Sequence, residues 1–428
     1  MSAIALADGE RLHWPGGVRL GDRTIAVLVF LSGFVFIEPS PSDLLLVATA
    51  IVWAFCGLRL NRYSLPHTVL LLCYIAGGWL AFTQVRDFTR PFSYMMTSTF
   101  LVASSIFFAA VVAEAPERRL RLIRNAYVAV GVVTAIIAVL AYFGVLPHSE
   151  FFKRYDRAMG PFKDPNVFAP FLVLPLCFLV RDILTRRLRE SVWEIAGSLI
   201  IIFAIFLAFS RAAWGLSVIA VLVTAYLAFA SSINKLVRFR LVAYLLAGSA
   251  AIMLLLAVAV SIPAIRDLYE IRAHVVQDYD DGHGGRFDRQ WNGFFLVQEK
   301  PLGLGPWEFA KIFGDDQHNM WLKGFTDYGW LGGFSYIILV VWTLAESCRL
   351  LFRQRPWTPI VQCSFAVYFG HVFLMHNVID NDHWRHLYLI YGILWGAIAA
   401  EKLMRRKQRQ TAAVSPSPVK RRSMVAAA

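Results

Sequence analysis

SVWEIAGSLIIIFAIFLAFSRAAWGLSVIAVLVTAYLAFA, residues 191–230, decides the fold. Two apolar runs, 191–209 and 212–231, flank Ser210 and Arg211. A helix of about 18 to 25 such residues crosses a hydrocarbon core. Working outward, similar apolar segments recur near 24–37, 43–58, 67–83, 93–113, 122–144, 166–180, 241–262, 319–345, 358–377 and 386–401. The pattern predicts an all-α polytopic membrane protein of about twelve transmembrane helices. Composition agrees: 57% of the 428 residues are hydrophobic and 17% charged, whereas soluble domains lie nearer half and a quarter.

The stretch 1–23 is polar and lacks the apolar core of a cleavable signal peptide, so the first helix is expected to act as the insertion signal. Cys56, Cys73, Cys177 and Cys363 fall in apolar segments and Cys348 at a helix end. With no CxxC pair, this argues against a disulfide framework or a thiolate metal site. The net charge of +13 is informative through its placement. An even number of spans puts both termini on one side. The stretches 1–23, 59–65, 114–125, 181–190, 232–240, 346–357 and 402–428 together hold 27 of the 42 Lys and Arg residues. The positive-inside rule makes them cytoplasmic. The basic balance therefore reports topology first and contact with anionic membrane lipids second, with no weight left for nucleic acid. The expected organisation is a cytoplasmic segment 1–23, a transmembrane domain 24–401 and a basic, disordered cytoplasmic tail 402–428.

Four stretches then lie outside: 146–165, the turn Ser210–Arg211, the polar loop 263–317, and 378–385. Short amphipathic helices are expected in the long loop, because Phe287, Trp291, Phe294, Phe295 and Val297 suit a helix lying on the membrane surface. Arg211 sits where an arginine at membrane depth costs about 2.5–3.5 kcal/mol. It either contacts an anion at the outer face or snorkels to the headgroups. Arg286 and Arg289 suit phosphate through forked hydrogen bonds, although for Arg289 a solvated face is the better reading. His318, where the loop re-enters the membrane, is either a general base or a hydrogen-bonding cap. Arg154, Arg157 and Lys163 add cationic density to a loop fixed by Pro161 and Pro165.

PLGLGP (301–306) reads as a tight turn. It is no dinucleotide loop, since Glu308 stands at the third glycine position, and no phosphate loop, since no Gly-Lys-Ser/Thr follows. His376, Asp380, Asp382, His383 and His386 cluster around the last outer loop without a recognisable metal-ligand spacing, and neither do Asp280, Asp281 and His283 match one. No metal and no cofactor is expected. No Gly-x-Ser-x-Gly nucleophile motif is present. No repeat of 20–50 residues is visible, which gives a repeat-built transporter no support.

Three stretches together resemble the O-antigen ligase and O-antigen polymerase superfamily, including exopolysaccharide polymerases. RAMGPFKDPNVFAPFL (157–172) is similar to the family's Arg-x-x-Gly-x-Phe, Pro-Asn, Ala pattern. AFSRAAWGL (208–216) is similar to its Ser-Arg turn between two spans. GRFDRQWNGFFLVQEKPLGLGPWEF (285–309) with HNMWLKGFTDYGWLGG (318–333) resembles its signature. The detailed match covers about 155–335.

The resemblance implies transfer of a glycan from undecaprenyl diphosphate to an acceptor sugar hydroxyl at the periplasmic face of the bacterial inner membrane, without a metal. The acceptor would be lipid A–core for a ligase, or a lipid-linked or free glycan for a polymerase. Carried over by motif, Arg211 and Arg286 would hold the diphosphate, Arg157 would be a further phosphate contact, and His318 the base for the acceptor hydroxyl. Asp327 stands where the family more often has Glu, and is given no role. Neither Arg286 nor Arg289 is followed by glycine eleven residues on; Val297 and Lys300 stand there. That departs from the Arg-x10-Gly pattern of many polymerases and tilts the reading slightly towards a ligase, although exopolysaccharide-type polymerases lack the pattern too. The alternative is a polysaccharide-lipid transporter or flippase. The site itself is expected at the junction of the long loop with the membrane, with Arg286 and His318 from the loop and Arg211 from its turn.

Overall fold

The computed structural model describes residues 17–55, 60–272 and 285–414. The expectations placed on 1–16, on Cys56, on Asp280, Asp281 and His283 in the opening of the long loop, and on the tail beyond 414 lie outside the described residues.

The described residues are mostly helical with almost no sheet, as an all-α membrane protein requires. α1 (Gly17–Leu31), α2 (Pro41–Phe55), α3 (Leu65–Phe82), α4 (Thr89–Glu114) and α5 (Pro116–Tyr142) lead to a two-stranded hairpin, β1 (Lys153–Arg154) and β2 (Arg157–Ala158). α6 (Pro165–Phe171), α7 (Val173–Thr185), α8 (Val192–Leu207), α9 (Arg211–Ser231) and α10 (Lys235–Val260) follow. The long-loop region holds α11 (Pro263–Arg272), α12 (Arg286–Gln298) and α13 (Glu308–Phe313). The chain ends with α14 (Met320–Thr326), α15 (Gly329–Cys348), α16 (Thr358–Gly370), a π-helical turn His371–Met375, α17 (His376–Val378) and α18 (Arg385–Val414). Among the described residues nine helical stretches are long and apolar enough to cross a membrane, counting α6–α7 as one and α16–α17 as one. α2 and α8 are apolar but shorter.

Two compact units form, one within Met1–Cys56, Glu117–Val221 and Ser232–Ala273, the other within Gly57–Pro116, Leu222–Ser231 and His274–Ala428. In the first, α7 packs on α8 and α10, α6 on α7 and α8, and α1 on α2. In the second, α18 lies along α4 and α15 along α3. Close approach in this unit depends on small residues. A Cβ at Gly392 would stand 2.5 Å from Cβ of Phe108, and one at Gly396 would stand 2.5 Å from Cβ of Val112 and 2.9 Å from the Ala109 carbonyl. Gly392 and Gly396 thus form a Gly-x-x-x-Gly face on α18 that lets α4 approach, the usual device where apolar helices must touch in lipid.

One expected element comes out differently. The segment 319–345 is not one helix: it breaks between α14 and α15 at Asp327 and Tyr328, where Gly329 has φ +64°. The break leaves α14 with unpaired carbonyls, which must find donors elsewhere. The PLGLG turn supplies them. The Leu304 and Gly305 amides both donate to the Thr326 carbonyl at 2.7 and 3.1 Å, and the Trp330 amide donates to the Pro301 carbonyl at 2.9 Å. Gly303 has φ +81°, and a Cβ there would lie 2.8 Å from the Thr326 oxygen and 2.9 Å from the Gly329 nitrogen. We expect Gly303→Ala to destabilise the protein by about 2 kcal/mol or more, since the left-handed backbone alone costs an L-residue about 1–2 kcal/mol. Thermal unfolding in detergent checks this; an unchanged Tm would contradict the docking.

α18 also runs beyond the expected boundary at 401, continuing as helix into the basic tail as far as Val414. The helix expected over 166–180 is interrupted at Leu172, between α6 and α7; Pro170 lies inside α6 and Pro175 inside α7, and neither offers an amide to the turn before it.

Candidate functional site

In the first unit the hairpin positions Arg157. Tyr155 and Asp156 both have positive φ, +51° and +56°, the backbone of the tight two-residue turn that matches strand twist. Arg157 is thereby directed inward and is buried. Its Nε donates to the Ala208 carbonyl at 2.8 Å and its Nη2 to Asn166 Oδ1 at 2.7 Å. Ala208 lies in the turn that carries Arg211, just before Phe209 with φ +45°. Asn166 is set by Asp164, whose carboxylate accepts the Asn166 amide at 2.7 Å and caps α6. Arg154 pairs with the same Asp164 at 3.3 Å, and Lys163 pairs with Glu38 at 3.3 Å. Arg211 is the first residue of α9 and half-buried. The structure therefore brings Arg157 to the Ser210–Arg211 turn, whose Ala208 lies 51 residues further on, and bonds it to Asn166 of the Pro-Asn element nine residues after it.

In the second unit Arg286 opens α12 behind the cap residue Gly285. The apolar residues of α12 divide between two faces. Gly293 and Val297 are buried against Phe309 and Leu322. Phe287, Trp291, Phe294 and Phe295 stay exposed as a cluster, with Trp291 and Phe295 rings 5.1 Å apart. The surface-lying helix expected from sequence therefore keeps four of its five apolar residues on the open face, and Val297 anchors it instead. Gln290, one turn after Arg286, donates from Nε2 to the carbonyls of Gln317 and His318 at 3.0 and 3.2 Å. α12 thus holds the backbone of His318 directly.

His318 has φ +48°, unusual for a residue with a side chain. Its surroundings enforce that conformation. Asp380 accepts the His318 amide at 3.4 Å and the Asn319 amide at 3.1 Å. Asn319 Oδ1 accepts the Leu322 amide at 3.1 Å and caps α14. The imidazole is half-buried, with Nε2 3.6 Å from Asp315 Oδ2.

Beneath it lies an ion cluster. Lys323 Nζ is 3.1 Å from Asp327 Oδ2 and 3.7 Å from Asp380 Oδ2, and both the Lys323 and Asp327 side chains are buried. Gln317 donates to Asp327 Oδ1 at 2.9 Å, and Thr326 Oγ1 donates to the same oxygen at 2.9 Å. Asp382 accepts the hydroxyls of Tyr94 and Tyr328. His383 Nε2 meets Ser98 Oγ at 2.8 Å. Burial raises the Asp327 carboxyl to about 6 against the pull of Lys323. Burial would lower the Lys323 ammonium, but Asp327 and Asp380 outweigh it and leave the group well above the ordinary lysine value. Asp380 is raised, again by burial opposed by Lys323. Asp382 ends below the usual carboxylate range, because Lys323, His383 and the two tyrosine hydroxyls overcome its burial.

Of the sequence candidates, Arg157 thus shares contacts with the Arg211 turn, and Arg286 shares a short frame with His318. Arg289, expected to be solvated, pairs with Asp315 at 3.0 Å. The His376–His386 cluster divides its duties. Asp380 caps the His318 turn and Asp382 anchors α4. His376 lies between the Tyr336 hydroxyl and Asn381, at 2.8 Å from each. Among the described residues no three His, Cys, Asp or Glu side chains are grouped as a metal site needs. Lys323 and Gln317 are the residues that sequence reasoning missed, while Asp327 carries no role there and Asp380 is weighed there only within a possible metal cluster. The available signal was Lys323 and Asp327 four residues apart inside an apolar segment, the spacing of a helical ion pair.

No protein-family model matches the chain, and no curated protein matches it.

Proposed function

We propose that this protein is a membrane glycosyltransferase of the O-antigen ligase and polymerase type. It takes a glycan from undecaprenyl diphosphate and joins it to an acceptor sugar hydroxyl at the periplasmic face of the bacterial inner membrane. The observation that carries the reading is the setting of His318: a half-buried imidazole on a left-handed backbone, gripped at its amide by Asp380 and at its carbonyl by Gln290 of the helix that Arg286 opens. A histidine that only capped a helix would not need that grip, and here Asn319 does the capping. The order of the three motif stretches supports the same reading.

The chemistry suits these residues. A diphosphate leaving group gathers negative charge as its bond to the sugar breaks, and fixed guanidinium groups lower that barrier. Arg211 and Arg286 are assigned to this role, with Arg157 a further phosphate contact. His318 takes the proton of the attacking hydroxyl. Neither a metal nor a cofactor is assigned. In the full proposal α1, α2 and α8 join the nine longer stretches as spans, which makes twelve crossings with both termini cytoplasmic.

The glycan profile of a strain lacking this protein tests the reading. A ligase predicts lipid A–core without its polymer while lipid-linked polymer accumulates. A polymerase predicts normally capped lipid A–core with short chains or with exopolysaccharide lost. An unchanged profile of lipopolysaccharide and exopolysaccharide contradicts both.

A further inference from the structure

We propose that Asp315 and His318 act as a carboxylate–imidazole dyad, with Arg289 fixing the carboxylate. The inference rests on the transfer reaction proposed above and assigns atoms to it. Asp315 Oδ2 lies 3.0 Å from Arg289 Nη2 and 3.6 Å from His318 Nε2. One carboxylate oxygen therefore faces both groups. Arg289 stands on α12 one residue before Gln290, whose amide group holds the His318 carbonyl. The helix that fixes the backbone of His318 thus also fixes the partner of its ring. Arg289 is largely buried while Asp315 is half exposed, so the arginine is the rigid member and the carboxylate the one it steers.

The dyad decides which nitrogen reacts. With Nε2–H directed at Asp315, Nδ1 carries the lone pair and becomes the base. The imidazole tautomer is set by the hydrogen bond its other nitrogen makes. A separation of 3.6 Å is long for a hydrogen bond, but such contacts tighten when substrate closes on the site. In the reaction the acceptor hydroxyl gives its proton to Nδ1 as its oxygen bonds to the anomeric carbon of the donor sugar. The bond from that carbon to the diphosphate oxygen breaks, and its electron pair leaves with the diphosphate. His318 is then an imidazolium, and Asp315, still ionised, stabilises it until the proton passes to solvent. Asp315 touches no reacting atom and is a positioning residue.

The test uses purified full-length protein in detergent with an undecaprenyl-diphosphate-linked glycan as donor and the purified acceptor glycan. Asp315→Asn keeps shape and removes charge. We expect kcat to fall by at least about tenfold with KM little changed, as when the partner of a working imidazole is lost. Asp315→Glu should recover a large part of the rate. In a His318→Ala background, Asp315→Asn should take nothing further from the residual rate, because residues acting as a unit are not additive. Wild-type kcat in Asp315→Asn overturns the dyad while leaving the transferase reading intact. So does an equal fractional loss with and without His318, which would mark Asp315 as merely structural. A wild-type protein that transfers no glycan overturns the transferase reading, and the dyad with it.

Discussion

Replacing Lys323 with methionine lowers the stability of the protein by about 3–5 kcal/mol, the largest effect expected of any single substitution here. Methionine fills a similar volume and removes the charge. Asp327 and Asp380 then face each other's surroundings with no ammonium between them, and Asp382 loses its strongest attractive partner. Removing one member of a buried charge cluster leaves the others uncompensated, and that loss exceeds what the intact cluster contributes. The penalty depends on pH, and its sign follows from Asp327. Its folded-state value of about 6 is already above the unfolded value of 3.8, and loss of Lys323 pushes it higher. A carboxyl raised on folding favours the folded state below its unfolded value, and that contribution is lost as pH rises through the folded value. Lys323→Met should therefore look nearly tolerated at pH 4 and fail by pH 8. Thermal unfolding in detergent at both pH values measures this, with a fall in Tm of roughly 10 °C expected at pH 8. A Tm equal to wild type at both would show that the cluster does not hold the α14–α15 break.

Substituting alanine at His318 removes the proposed base, and transfer should fall by about 10²–10⁴-fold. The protein should still insert and fold, because the grip on this residue runs through its backbone. Asp380 and Gln290 hold the amide and the carbonyl, which alanine retains. Alanine at Arg211 or Arg286 should cost about 10²–10³-fold, the range typical of one lost charge-stabilising group. Arg157→Ala should differ in kind. Arg157 is buried and bonded to both Ala208 and Asn166, so its loss should lower Tm as well as transfer. Steady-state transfer rates and Tm measured on the same preparations distinguish these cases. Full activity in His318→Ala would remove the base from the mechanism.

The helices were legible wherever apolar length alone decides. The runs behind α4, α5, α9 and α10 read directly as spans because nothing interrupts them. Legibility failed where a few polar residues reshape an apolar stretch. Lys323 and Asp327 lie in a segment hydrophobic enough to read as one helix, yet it breaks after α14, where Gly329 takes a left-handed backbone. The loop 378–385 shows the same limit from the other side. Its acids have no spacing that marks a function, since their partners lie far off in sequence: Tyr94, 288 residues before Asp382, and for Asp380 the amides of His318 and Asn319, 62 and 61 residues before it. Backbone amides leave no trace in sequence, so a carboxylate that serves them is invisible there. Arg211, Arg286, His318 and Arg157 are legible as candidates because short motifs carry them. What Gln290 and Asp315 touch, inside or beside the same motifs, is visible only in the folded structure.

A purified system separates glycan transfer from transport. Purified protein in detergent is incubated with an undecaprenyl-diphosphate-linked glycan and an acceptor glycan, with a chelator present and no nucleotide added. A transferase forms a covalently extended acceptor and released undecaprenyl diphosphate in equal amounts, and both are expected to be lost in His318→Ala. Movement of intact lipid-linked glycan across liposomes, with no extended acceptor formed in either preparation, would contradict the transferase reading and identify a flippase.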